Sequence, residues 1–122
     1  MKIRIKSNSL RYRLTRSEVE RFAHDGLIKE KIQIGDDALT YILQTTAQDK
    51  VSASFHNNII TLLVPQKIAA QWTGTELVGF DHTENELHLL VEKDFTCLDT
   101  VDEDQSDNYP NPLAEKSHEQ RN

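Results

Sequence analysis

Cysteine occurs once, at Cys97. No intrachain disulfide can form, and a reducing compartment is expected. Glycine occurs four times. That leaves no Gly-rich phosphate loop, no G-x-S-x-G turn and few of the tight turns that catalytic loops use. The histidines (His24, His56, His82, His88 and His118) are scattered. No H-x-E, C-x-x-C or i, i+4 histidine pair is present, so no zinc pattern and no cofactor is expected. No apolar run is long enough to span a membrane, and Met1–Lys6 alternates where a secretory segment would be apolar. The expectation is a cytoplasmic monomer without membrane contact. Apolar residues make up only 37% of the chain and almost none lie in its last two dozen positions. A body of roughly 95 residues still suffices for one packed core.

What is present is alternation. Lys2-Ile3-Arg4-Ile5-Lys6 and Leu10-Arg11-Tyr12-Arg13-Leu14 read as strands joined at Ser7-Asn8-Ser9. Leu27–Val64 reads as four consecutive antiparallel strands. Asn57-Asn58 suits a two-residue turn, since both residues tolerate positive φ. Turning there pairs His56 with Ile59, Phe55 with Ile60, Ala53 with Leu62 and Val51 with Val64, and a one-residue slip would mix the faces. Matching Tyr41 to Phe55 and Leu43 to Ala53 requires a loop at Ala47-Gln48-Asp49, although it lacks the glycine such a loop favours. Gly35-Asp36-Asp37-Ala38 would pair Ile34 with Leu39 and Ile32 with Tyr41. Glu30 then points inward, which calls for a sheet edge or an inward-reaching arginine. A last hairpin around His82-Thr83-Glu84-Asn85 would pair Phe80 with Leu87 and Val78 with Leu89. No internal repeat of solenoid period stands out.

Two helices interrupt the strands. Thr15-Arg16-Ser17-Glu18 is a capping box, and Leu14 with Val19 has the spacing of a hydrophobic staple. Gly26 closes that helix, and His24 suits the negative end of its dipole. Pro65 opens the second helix, Ile68 and Trp72 lie one turn apart, and Gly74 ends it.

The expected fold is α+β: one curved antiparallel meander of seven or eight strands, barrel-like in its closed form, with two short helices. Residues 1–98 form the domain, and 99–122 an acidic, proline-containing, disordered tail. The predicted core is Ile3, Ile5, Leu10, Leu14, Val19, Phe22, Ile32, Tyr41, Leu43, Phe55, Ile60, Leu62, Val64, Ile68, Trp72, Val78, Phe80, Leu87 and Leu89.

The net charge of −6 hides a polarity: residues 1–34 carry +5, residues 35–93 carry −5 and residues 94–122 carry −6. If the first two strands pair, Lys2, Arg4, Lys6, Arg11 and Arg13 share one face, a candidate anion site. Leu10 and Tyr12 point away from it, so no aromatic platform favours nucleic acid. A solvated face with acidic neighbours such as Glu18 and Glu92 is the plainer reading. The acidic tail fails the calcium-loop test, because Asp107 stands where glycine is needed and Leu113 where glutamate is needed. Asp107, Tyr109 and Pro110 are candidates for docking a protein partner. The opposed charges also predict that the tail folds back toward Arg4, Arg11 and Arg13, with Tyr109 and Pro110 as anchors. Cys97 precedes acidic residues, which blunt a thiol.

The run Met1–Lys6, then Ser9-Leu10-Arg11-Tyr12-Arg13-Leu14-Thr15 and Glu18-Val19, resembles the start of a family of short bacterial cytosolic proteins of unknown function. Val91-Glu92-Lys93-Asp94-Phe95 with Cys97-Leu98, and Asp107–Pro112, resemble that family's end. The resemblance implies one domain and brings no activity, cofactor or site residue. The function expected is non-catalytic binding of a protein partner. The alternative is anion or nucleic-acid binding through the basic face, and a small enzyme comes third.

Overall fold

The computed structural model describes residues 1–95 and 105–110. Its order is β1 (Lys2–Lys6), β2 (Ser9–Leu14), α1 (Arg16–Asp25), β3 (Leu27–Ile34), β4 (Asp37–Thr46), β5 (Ser52–His56), β6 (Ile59–Pro65), α2 (Gln66–Gly74), β7 (Gly79–Glu84) and β8 (Leu87–Lys93). The eight strands and two helices make the α+β class expected from the sequence. They do not form one curved sheet, and nothing closes into a barrel. Two four-stranded sheets form instead, in the orders β1-β2-β8-β7 and β3-β4-β6-β5.

The meander fails between β4 and β5. β4 pairs in parallel with β6, setting Tyr41 beside Ile60 and Leu43 beside Leu62. β5 pairs only with β6 and stands at the edge. The composition gives the reason. β6 is the most apolar strand and belongs in the middle, whereas Ser52, Ser54 and His56 of β5 tolerate an edge. Ala47–Asp49 therefore does not turn a hairpin and has no need of glycine.

The Asn57-Asn58 hairpin forms with the predicted register, Phe55 opposite Ile60 and Ala53 opposite Leu62. Two other turns are tighter than expected. Gly35-Asp36 alone joins β3 to β4, which sets Ile32 opposite Leu39, Ile34 opposite Asp37 and Glu30 opposite Tyr41. Asn85-Glu86 joins β7 to β8, so Phe80 meets Val91 and not Leu87, and Val78 drops out of the strand. In all four hairpins the first turn residue is left-handed: Ser7 (φ 49°), Gly35 (φ 60°), Asn57 (φ 51°) and Asn85 (φ 49°). That conformation matches the twist of the flanking strands. Both shifts are even, so the inward faces survive.

The ββαββ unit occurs twice, a duplication that the search for a repeat of solenoid period does not reveal. β1, β2, α1 and β4 begin at Lys2, Ser9, Arg16 and Asp37; β5, β6, α2 and β8 begin at Ser52, Ile59, Gln66 and Leu87, each fifty residues later. Each unit gives one hairpin to each sheet, so the two units interlock. The repeat is hidden because equivalent positions keep apolar character and not identity. Tyr12 and Leu62, Leu14 and Val64, Val19 and Ala69, and Phe22 and Trp72 are all buried.

These residues belong to one core shared by both sheets and both helices. Trp72 is its centre. Its ring meets Phe22 edge-on at 6.2 Å and Phe80 at 5.6 Å, and its Nε1–H donates to the Val78 carbonyl at 3.1 Å. Four predicted core residues are exposed: Ile5 (64%), Ile32 (49%), Phe55 (67%) and Val78 (45%). Ile5, Ile32 and Phe55 face inward but sit at hairpin ends, beyond the cover of the helices. Val78 lies in the connection that leads into β7.

Candidate binding site

α1 starts as the capping box requires: Glu18 accepts from the Thr15 backbone N–H at 2.9 Å. Gly26 (φ 72°) ends the helix and donates to the Phe22 carbonyl at 2.8 Å. Glu18 has a second task. Its Oε2 accepts from the buried Met1 ammonium, which also reaches Glu30 Oε1 at 3.1 Å. Tyr41 completes the cluster by donating to the Met1 carbonyl at 2.8 Å. Burial alone would raise the Glu18 carboxyl, but the ammonium and the Thr15 amide outweigh it and hold the group below its ordinary range. Glu30, predicted to need an edge or an arginine, lies on the edge strand β3 and meets the Met1 ammonium in place of an arginine.

The first turn of α1 also receives the described part of the tail. The Arg16 N–H donates to the Asp107 carbonyl at 3.0 Å. The Ser17 hydroxyl donates to Asp107 Oδ2 at 2.5 Å, and the Ser17 N–H to Oδ1 at 3.3 Å. A carboxylate thus meets a free amide, that of Ser17, at the positive end of the helix. The Ser17 hydroxyl, helped by Thr15, holds the Asp107 carboxyl below its usual range.

Two residues on, the segment runs beside Phe95 as a short parallel bridge. The Tyr109 N–H donates to the Asp94 carbonyl at 2.8 Å, and buried Asn108 gives its amide to the Phe95 carbonyl at 3.4 Å. The Tyr109 ring lies 5.7 Å from that of Phe95. The Arg16 guanidinium and the Lys93 ammonium stand 5.4 and 5.5 Å from the Tyr109 ring centre. The quadrupole of the ring attracts both cations. Burial raises the Tyr109 hydroxyl above its ordinary pKa.

This docked segment forms one wall of a cleft of about 710 Å³. Val19 and Ala23 of α1 and Val78 give it apolar surface, and Arg16, Glu20, Glu76 and Lys93 give it charge. Lys93 is 6% exposed and donates to the Thr75 carbonyl at 2.7 Å. Among the described residues no carboxylate lies within ion-pair distance of Lys93 or Arg16. Burial pushes the Lys93 ammonium below its ordinary pKa, and Glu76 opposes that shift.

All three predicted partner-docking residues therefore lie against the body: Asp107 on α1, Tyr109 on Phe95, and Pro110 in the cleft wall. The charge polarity pointed to Arg4, Arg11 and Arg13 as receivers of the tail, whereas the guanidinium that Tyr109 meets is that of Arg16. Residues 99–104 and 111–122 of the predicted tail, and Cys97, lie outside the described residues. Sequence reading missed Lys93. The signal was there: Leu87, Leu89 and Val91 alternate inward, and Lys93 is next in that series.

The predicted basic face also forms. Lys2 lies opposite Arg13, Arg4 opposite Arg11 and Lys6 opposite Ser9. Two members are neutralised, Lys2 by Asp94 at 2.9 Å and Arg11 by Glu92 at 3.0 Å. Arg4, Lys6 and Arg13 have no carboxylate within ion-pair distance among the described residues.

No described helix is long and apolar enough to cross a membrane. No curated protein and no solved structure gives a significant match to the chain. The model of DUF7009, a family of unknown function, matches residues 1–113, and the chain belongs to that family.

Proposed function

We propose that the protein is a non-catalytic binding module that takes an extended segment of a protein partner into the cleft beside α1. The observation that carries this reading is the docked segment itself. A carboxylate on the helix N-terminus, followed two residues later by an aromatic ring near two cations, is how an acidic, aromatic peptide would be held. The Lys93 ammonium, held by the Thr75 carbonyl with no carboxylate within ion-pair distance among the described residues, suits a partner carboxylate. The family match runs through the docked residues, so the segment is part of what the family model describes.

The test uses a labelled peptide with the sequence of Gln105–Pro110, titrated into the full chain and into its Tyr109→Ala variant. The variant frees the site from its own segment and should bind the peptide at least about tenfold more tightly than the parent. A peptide with asparagine for the aspartate should bind less well. If neither protein binds at roughly 1 mM peptide, a free-energy threshold of only about 4 kcal/mol, the cleft does not recognise such segments.

A further inference from the structure

The outer face of the β1–β2 hairpin holds a hollow of about 230 Å³ lined by Arg4, Lys6, Ser9 and Arg11 alone. Every one of these side chains is a hydrogen-bond donor, and three are cations. The pairing puts Arg4 directly opposite Arg11. Like charges across a strand pair destabilise a sheet. An edge strand such as β1 gains protection against aggregation from one lysine, and two facing arginines add nothing to that.

Nor is the arrangement loose. The Arg11 guanidinium is ion-paired with Glu92, Nε to Oε1 at 3.0 Å, without a hydrogen bond to that oxygen among the described residues, so its donors remain for another acceptor. Asn8 fixes the hairpin tip by donating Nδ2 to the Glu86 carbonyl at 2.7 Å, while the His88 N–H donates to the Asn8 carbonyl at 2.9 Å. The donors are therefore carried on strands and on a pinned turn, which limits the entropy lost when an anion is bound.

We infer that this hollow binds the phosphate group of a small phosphorylated ligand. Two guanidiniums, an ammonium and a hydroxyl match a tetrahedral oxyanion with several acceptor oxygens. The neighbours in the same sheet rows are Leu90 and His88, with no aromatic stack to hold successive bases. This favours a single phosphate group over a nucleic-acid strand. The site is independent of the α1 cleft, and either can fail without the other.

The experiment follows backbone amide shifts of the full chain at low ionic strength, with inorganic phosphate, a nucleoside monophosphate and a short single-stranded oligonucleotide as probes. Inorganic phosphate should give saturable shifts centred on Arg4, Lys6, Ser9 and Arg11. Arg4→Gln and Lys6→Gln should each weaken it about tenfold, as loss of a charge-assisted hydrogen bond does. Arg13→Gln is the control, since it removes the same charge from the same face outside the hollow. Tighter binding of the nucleotide on the same residues names a nucleotide as the source; equal binding names the phosphate group alone. Absence of saturable shifts overturns the inference. So does an equal loss in Arg13→Gln, or an oligonucleotide that all three variants weaken alike, because either would mean diffuse attraction by the whole basic face.

Discussion

Tyr109→Ala should release the docked segment while leaving the body folded. Among the described residues the ring meets Phe95 at 5.7 Å and two cations, Arg16 at 5.4 Å and Lys93 at 5.5 Å. An aromatic pair contributes about 0.5–1.5 kcal/mol beyond its buried area. Each cation over a partly exposed ring adds about 0.5–1 kcal/mol. Removal of the ring should therefore cost about 2 kcal/mol of docking, or roughly a 30-fold drop in the docked-to-undocked ratio. Amide hydrogen exchange reads this directly. The Arg16 N–H donates to the Asp107 carbonyl only while the segment is docked, and its protection should fall by that factor. The Gly26 N–H, bonded to the Phe22 carbonyl at 2.8 Å at the other end of the same helix, should be unchanged. If Arg16 loses less than about threefold, the ring is not the anchor. An equal fall at Gly26 would mean global destabilisation and would refute the local account.

Two further predictions concern stability. Glu18→Gln removes the carboxylate that caps α1 and receives the Met1 ammonium, and it should cost about 2–3 kcal/mol in urea unfolding at pH 7. The folded pKa of Glu18 is lowered, so its contribution is full above the unfolded carboxylate pKa and fades as pH falls through the folded value. The variant should accordingly lose part of the parent's acid sensitivity, and identical pH profiles would refute the pairing. Gly79→Ala should destabilise by at least about 1–3 kcal/mol, because a Cβ there meets the Val91 carbonyl oxygen and the Glu92 side chain. A thermal midpoint equal to the parent's would contradict the close approach of β7 to β8.

Local features of this chain were legible in its letters. The capping box at Thr15–Glu18, Gly26 at the helix end and the Asn57-Asn58 register depend only on contacts among near neighbours in sequence. So does the sharing of one face by Lys2, Arg4, Lys6, Arg11 and Arg13, which alternation alone places on one side of a strand pair. Tertiary structure decided what joins to what. Alternation at β4 and β6 is the same whether they pair with each other or with β5, because period two marks faces and not partners. The sheet orders follow from burying β6 between two strands, a long-range gain that no window of the sequence contains. The fifty-residue repeat was invisible for a related reason: Tyr12 and Leu62, or Phe22 and Trp72, fill equivalent space with different side chains, and packing requires volume and apolarity, not identity. The same holds at the sites. The sequence marked Asp107 and Tyr109 for an outside partner and sent the tail toward Arg4, Arg11 and Arg13, whereas in the structure these two residues meet Ser17 and Arg16. Net charge falls off slowly and favours any cation nearby, whereas a helix N-terminus beside Phe95 and Lys93 exists only once α1 and β8 are brought together.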